Sequence, residues 1–242
     1  LTIEEAKHTG VPHPFKGNMD VNRLNAFLTE YGKEVPFVML TITNNSGGGQ
    51  PVSLENIEAV HAVAKKHGKF LVMDSCRFAE NAYFIKRREA AYADWSIDDI
   101  LRKVFSYASI ITFSAKKDAL ANIGGLVCLD DEALAEKFKN RLIITEGFST
   151  YGGLAGRDLA AIAQGLREVV SEDYLQYRLR TIEWMVERLV AAGVPVLVPA
   201  GGHAVYLNAR EFFPKIAPEN FPGIALTTEL FIRGGIRAVE LG

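Results

Sequence analysis

Three short stretches place polar and reactive side chains directly at the ends of apolar, strand-like runs. Asn44 and Asn45 follow "VPFVMLTIT", Asp74 and Arg77 end and follow "KFLVMDSC", and Ser114, Lys116 and Lys117 close "SIITFSAKK". In an open parallel sheet, ligands bind at the carboxyl ends of the strands. If these three strands are neighbours, one acid, one guanidinium, an amide and two amines converge. An acid followed by a lysine at the next strand's end fits pyridoxal phosphate chemistry. The amine condenses with the aldehyde, and the carboxylate pairs with the ring nitrogen and keeps it protonated. The competing reading is that Asp74 caps the following helix and both lysines are solvated.

Other chemistries find less support. His8, His13, His61, His67 and His203 show no metal-ligand spacing, and there is no Cys-x-x-Cys. No serine sits in a G-x-S-x-G elbow. The glycine clusters "SGGGQP" and "YGGLAGRD" lack the Gly-Lys-Ser/Thr ending of a Walker A loop and read as turns. Cys76 reads as small packing, His203 as a structural histidine, and Glu80, Asn81 and Tyr83 as the first turns of a helix. Tyr151, Gly152 and Gly153 read as shaping a turn. Lys86-Arg87-Arg88, followed by Glu89, reads as a solvated helix face.

The elements that must position these groups follow from pattern. Asp20 caps a helix closed near Gly32, Ser53 caps one ending at Gly68, and Ser96 with Asp99 forms a capping box. Buried strands are expected at 35–43, 69–76 and 109–114, with a shorter one in "GLVCLD" and a helix over 78–95. Alternating strands and helices predict an α/β fold with a mainly parallel sheet. Helices follow from about Arg157 and over 171–193, the second with Leu175, Leu179, Ile182, Val186 and Leu189 on one stripe. Strands at 194–198, 203–208 and 236–240 and a helix near 223–233 predict the start of a smaller α+β unit.

The chain has 242 residues and a formal net charge of −2, with basic residues spread among acids, which gives no case for nucleic acid. No apolar run reaches the ~18 residues of a membrane helix. Two isolated cysteines, Cys76 and Cys128, point to a reducing cytoplasm.

The motifs "TITNNSGGGQPVS", "MDSCRFAENAYFIK", "SAKKD…NIGG" and "EGFSTYGGLAGRD" occur in this order along nearly the whole chain. Together they resemble the tryptophanase and tyrosine phenol-lyase family of aromatic amino acid β-eliminating lyases. The resemblance implies the aspartate-aminotransferase type of pyridoxal-phosphate-dependent fold. The large cofactor-binding domain is then 1–170, and 171–242 is a linking helix plus the start of the small domain. It implies that Lys117 is the Schiff-base lysine and that Lys116 and Ser114 contact the cofactor phosphate. Asp74 is implied as the ring-nitrogen partner, and Arg77 and Asn45 as contacts of the phenolic oxygen. Asn122 resembles a position whose backbone carbonyl holds a monovalent cation such as potassium. The implied reaction is elimination from an aromatic amino acid, tryptophan before tyrosine, in a homo-oligomer (a dimer or tetramer). Relative to the family, the phosphate-binding turn, the ring-stacking aromatic and the carboxylate-gripping arginine are absent, so a truncated chain with little turnover is also expected.

Overall fold

The computed structural model describes residues 1–148 and 153–241. Helix α1 (Val21–Tyr31) begins where Asp20 accepts the N–H of Arg23 at 2.9 Å. Strand β1 (Phe37–Thr41) is followed by α2 (Leu54–Lys66), whose first turn is closed by Ser53 Oγ accepting the N–H of Asn56. Strand β2 (Phe70–Asp74), α3 (Phe78–Arg88), α4 (Ile97–Phe105) and β3 (Ile110–Ser114) complete the crossovers. Ser96 and Asp99 cap α4 as expected, with the Asp99 N–H donating to Ser96 Oγ and that hydroxyl donating to Asp99 Oδ2. Strand β4 (Gly125–Leu129) and helices α5 (Glu132–Thr145), α6 (Gly156–Glu168) and α7 (Glu172–Ala191) follow. A short α8 (Ala209–Phe212) and α9 (Pro222–Gly234) end the described chain.

The sheet has the order β1-β2-β3-β4, with the first three strands parallel and β4 antiparallel to β3. The mainly parallel α/β expectation is met. The register sets Thr41, Asp74 and Thr112 side by side, so the three parallel strands end at one level. Helix α3 packs through Phe78, whose ring lies 5.6 Å from Phe113 and 6.0 Å from Phe105. The strands are not all buried on both faces: Phe37, Met39, Phe70 and Val127 are exposed. Positions 37 and 39 share one side of β1, and no described element covers it.

Several sequence expectations are corrected. The helix expected over 78–95 stops at Arg88, and a single 3₁₀ turn follows at Ala90–Tyr92. Glu89 turns extended there because its carboxylate accepts the N–H groups of Leu54 and Glu55 at the start of α2. An anion at those free donors is favourable. The Lys86-Arg87-Arg88 run is not a freely solvated face. Lys86 pairs with Glu172 and Arg87 with Glu183, both on α7, while the Arg88 guanidinium lies over Phe84 and donates to the Pro14 carbonyl. Helix α5 has no counterpart in the sequence reading. The strands expected at 194–198 and 203–208 reduce to one antiparallel bridge, Val196 to Leu207, and 236–240 forms no strand. Pro195 and Pro199 lack the N–H a ladder needs.

Helix α7 belongs to two cores. Leu175 and Leu179 are fully buried in the main cluster under the sheet, whereas Val186 joins a small one with Val196 and Ala200. A second tie reaches the same region from the N-terminal side. The buried Lys16 ammonium donates to the carbonyls of His8 at 2.6 Å, Thr9 at 3.3 Å and Val198 at 2.7 Å. Burial lowers its pKa. Among the described residues no helix is long and apolar enough to cross a membrane.

Candidate active site

The backbone beyond the strand ends is stitched so that the three polar stretches meet. The N–H of Ile42 donates to Asp74 O, and that of Arg77 to Ile42 O, drawing the start of α3 against the loop after β1. The N–H of Ser75 donates to Thr112 O, and that of Asp118 to Cys76 O at 3.3 Å. These bonds hold the two-lysine turn beside the end of β2.

Asp74 and Lys117 come together around Cys76. The thiol donates to Asp74 Oδ1 at 3.0 Å. Burial first, then the bond to Asp74, raises the thiol's pKa, and the Lys117 charge opposes the rise. One sulfur therefore feels both groups. Asp74 Oδ2 takes no hydrogen bond from the described residues, and neither lysine ammonium is bonded within them. Lys117 is half-buried, Lys116 is exposed, and Ser114 lies at the end of β3. Reading Cys76 as packing alone was incomplete, since it is tied to the acid.

Arg77 stands at the head of α3, and Asn45 lies in the turn after β1. Asn45 Oδ1 accepts from the Tyr206 hydroxyl at 3.0 Å and lies 2.9 Å from His203 Nε2. The amide N–H₂ has no acceptor among the described residues. Arg77 acts on Tyr206, whose hydroxyl is raised in pKa chiefly by burial. The glycine loop 47–49 is a turn rather than a phosphate cradle. At Gly49 (φ +66°) a Cβ would fall 2.8 Å from the His203 ring, so only glycine admits the imidazole.

Behind these groups lies a second, closed set that the sequence reading missed. Glu80 and Asp118 are fully buried. Glu80 Oε1 accepts from the Thr43 hydroxyl and from His203 Nδ1, while Oε2 faces Arg178 Nη2 at 3.1 Å. Asp118 Oδ2 accepts the Ala79 N–H at 2.8 Å, and Oδ1 accepts from Arg178 Nη1 at 3.3 Å. Burial, then the Glu80 charge, pushes the Asp118 carboxyl up to about 7, against the pull of Arg178. Two carboxylates with one guanidinium thus hold a proton between them more readily than free acids would. The only hint in the sequence was an acid and an amide, Glu80 and Asn81, in an otherwise apolar helix face. Asn81 in turn grips Val52 through both its N–H and its carbonyl.

The remaining expected residues are placed as follows. Asn122 is exposed in the turn before β4, near the carbonyl of Gly124 that accepts the Ala115 N–H. No group of three metal-ligating side chains occurs among the described residues. His203 has a polar neighbour at each nitrogen, as a structural histidine does, and one of the two is Asn45. Tyr151 and Gly152 lie outside the described residues.

The donor set fits pyridoxal phosphate. It offers a half-buried amine for the aldehyde, a carboxylate oxygen without a protein donor for the ring N–H, a second amine and a hydroxyl for phosphate, and an amide N–H₂ with a guanidinium for the phenolic oxygen. Comparison with known proteins bears on the same chemistry. The beta-eliminating lyase family model matches residues 1–242. The chain is 58% identical over 242 residues to a tryptophanase of Hyphomonas neptunium, covering 100% of this chain and 53% of that protein. It is 57% identical, with the same coverage, to a tryptophanase of Rhodobacter capsulatus. A tyrosine phenol-lyase of Pasteurella multocida is 44% identical over 243 residues, again 100% and 53% covered. The chain spans about half the length of the curated relatives it matches. With the match running along its entire length, the chain belongs to the beta-eliminating lyase family.

Proposed function

We propose that this chain carries the cofactor-anchoring part of a pyridoxal-phosphate-dependent lyase that cleaves an aromatic amino acid, tryptophan, to indole, pyruvate and ammonia. The observation that carries the reading is that Asp74 and the Lys116-Lys117 turn stand at the ends of adjacent parallel strands, both tied to Cys76, the acid through the thiol and the turn through the Asp118 N–H. Identity of 54–58% to tryptophanases, against 43–44% to tyrosine phenol-lyases, supports tryptophan over tyrosine.

Pyridoxal phosphate, the cofactor of the family, supplies an electron-accepting ring that stabilises negative charge at the substrate α-carbon. The chain's residues divide the remaining work. Lys117 Nζ would hold the cofactor at its aldehyde carbon and, as a free amine, would be the base for the substrate α-proton. Asp74 Oδ2 would hold the proton on the ring nitrogen, while the Cys76 thiol occupies Oδ1. Lys116 and Ser114 bind the phosphate, as ammonium and hydroxyl do. Arg77 and the Asn45 amide orient the phenolic oxygen. A monovalent cation at the Asn122 carbonyl, a homo-oligomeric assembly, a cytoplasmic setting and a boundary near residue 170 belong to the same reading. The two free thiols support the compartment.

The test is borohydride reduction after addition of pyridoxal phosphate, followed by peptide mapping. A label on Lys117 is expected; a label confined to another lysine, or none, overturns the assignment. Indole rather than phenol released from the full-length enzyme decides the leaving group.

A further inference from the structure

The Arg178 guanidinium touches none of the groups assigned to the cofactor, yet it is joined to both sides of the site. It lies mid-way along α7, largely buried, and reaches two fully buried carboxylates at once. We propose that Arg178 is a positioning residue, which fixes the Lys117 turn through Asp118 and the Asn45 amide through Glu80 and His203. The proposal rests on reading Lys117 and Asn45 as cofactor contacts.

On one arm, Arg178 Nη1 donates to Asp118 Oδ1 at 3.3 Å, while Asp118 Oδ2 is held by the Ala79 N–H and the Asp118 N–H by Cys76 O. The residue after the anchoring lysine is therefore pinned from three directions, by α7, by the start of α3 and by the end of β2. On the other arm, Arg178 Nη2 sits 3.1 Å from Glu80 Oε2, an oxygen with no other donor among the described residues. Glu80 Oε1 then holds His203 at 3.0 Å, and His203 holds Asn45 at 2.9 Å. The groups facing the two carboxylates are Arg178 from α7, Arg77 at the head of α3, His203 and the Thr43 hydroxyl, with Tyr174 bonded to Arg178 behind them.

A single cation between two buried anions has a defined consequence. Without it the carboxylates repel in a low-dielectric interior, one of them binds a proton, and both lose the donor that aims them. Lysine at this position would restore the charge but not the fork that serves two oxygens. A purely structural tie between α7 and α3 would alter stability alone. A positioning role must also move the chemistry of Lys117.

Competitive acetylation of lysines with acetic anhydride, read by peptide mass, measures Lys117 directly in the cofactor-free chain. The exposed Lys139 serves as internal reference. In Arg178→Met, Lys117 labelling relative to Lys139 is expected to rise about threefold or more, the size of a coupling within one network, and the Kd for pyridoxal phosphate to weaken about tenfold. Arg178→Lys should recover only part of both. Unchanged Lys117 labelling in a folded Arg178→Met chain, judged by circular dichroism, overturns the proposal. If Arg178→Met does not fold, Arg178→Met combined with Asp118→Asn removes one charge of each sign. Comparison of that pair with Asp118→Asn alone then decides: similar Lys117 labelling in the two supports the coupling, and a full independent Arg178 effect refutes it. Failure of the unmodified chain to take pyridoxal phosphate would sink the lyase reading instead, while the acetylation arm still judges Arg178.

Discussion

Two polar clusters sit a few residues apart at the same end of the sheet, and they are built on opposite principles. Asp74, Lys116 and Lys117 are at least partly exposed and, among the described residues, largely without partners apart from the thiol on Asp74. Glu80 and Asp118 are fully buried and, with Arg178 and His203, spend nearly all their bonding capacity on one another. The contrast teaches a division of labour. Groups that must bond to something else keep their valence open at the strand ends, and the rigidity they need comes from a densely paired layer behind them.

That division can be broken most decisively at the open cluster. Lys117→Ala should abolish the borohydride-stable label altogether, with the protein still folded by circular dichroism; persistence of the label would erase the distinction between the clusters. In the closed cluster the same kind of change should strike stability instead. Glu80→Leu leaves Arg178 and His203 short of an anion and is expected to cost about 3–5 kcal/mol, as loss of one partner from a buried ion pair does. Urea unfolding measures it, and a shift no larger than that of a surface substitution would mean the cluster is not under load.

A pH series sharpens the contrast further. Asp118, raised to about 7 in the folded chain, binds its proton more readily there than when unfolded. Its stabilising contribution is complete below the ordinary carboxylate range and is lost as pH rises toward about 7. The melting temperature should therefore fall by several degrees between mildly acidic and mildly basic buffer, and Asp118→Asn should flatten that slope. Glu89, also raised by burial, contributes in the same direction and would leave a residual slope.

Asp74→Asn is milder in folding terms because the open cluster supports little structure. It should weaken cofactor binding by about 10- to 100-fold, the worth of one hydrogen bond to a charged group, with little change in urea midpoint. The smallest effect is a difference between two thiols. Cys76, raised in pKa by burial and by Asp74, should alkylate with iodoacetamide about tenfold more slowly at neutral pH than the exposed Cys128. Equal rates would mean the thiol does not hold Asp74 in solution.

The sequence carried what is local. Asp20, Ser53 and Ser96 announced helix starts because a cap bonds within three residues, and each does so here. The three strand ends were legible because apolar runs stopped abruptly at polar side chains, and the family resemblance and α/β class hold along the whole match. The closed cluster was not legible. Asp118 and Arg178 lie 60 positions apart and Glu80 and His203 lie 123 apart, and no local pattern marks a pair that only the folded chain creates. Helix α5 went unseen for a different reason. It buries no residue fully, and Ile143 and Ile144 blur the row of Leu134, Phe138 and Leu142 by which a helix would be recognised. The strands expected in "VPVLVP" and beyond show the reverse error, since β-favouring residues were counted while two prolines had removed the donors.

The Lys16 ammonium, ringed by three main-chain oxygens, does what a coordinated alkali ion does elsewhere: it neutralises converging carbonyl dipoles where segments distant in sequence meet. Being covalently tethered, this charge cannot be dialysed away or exchanged for sodium. The seam between residues 8–9 and 198 should thus hold regardless of the salt in the buffer, leaving any response to alkali ions to originate elsewhere in the molecule.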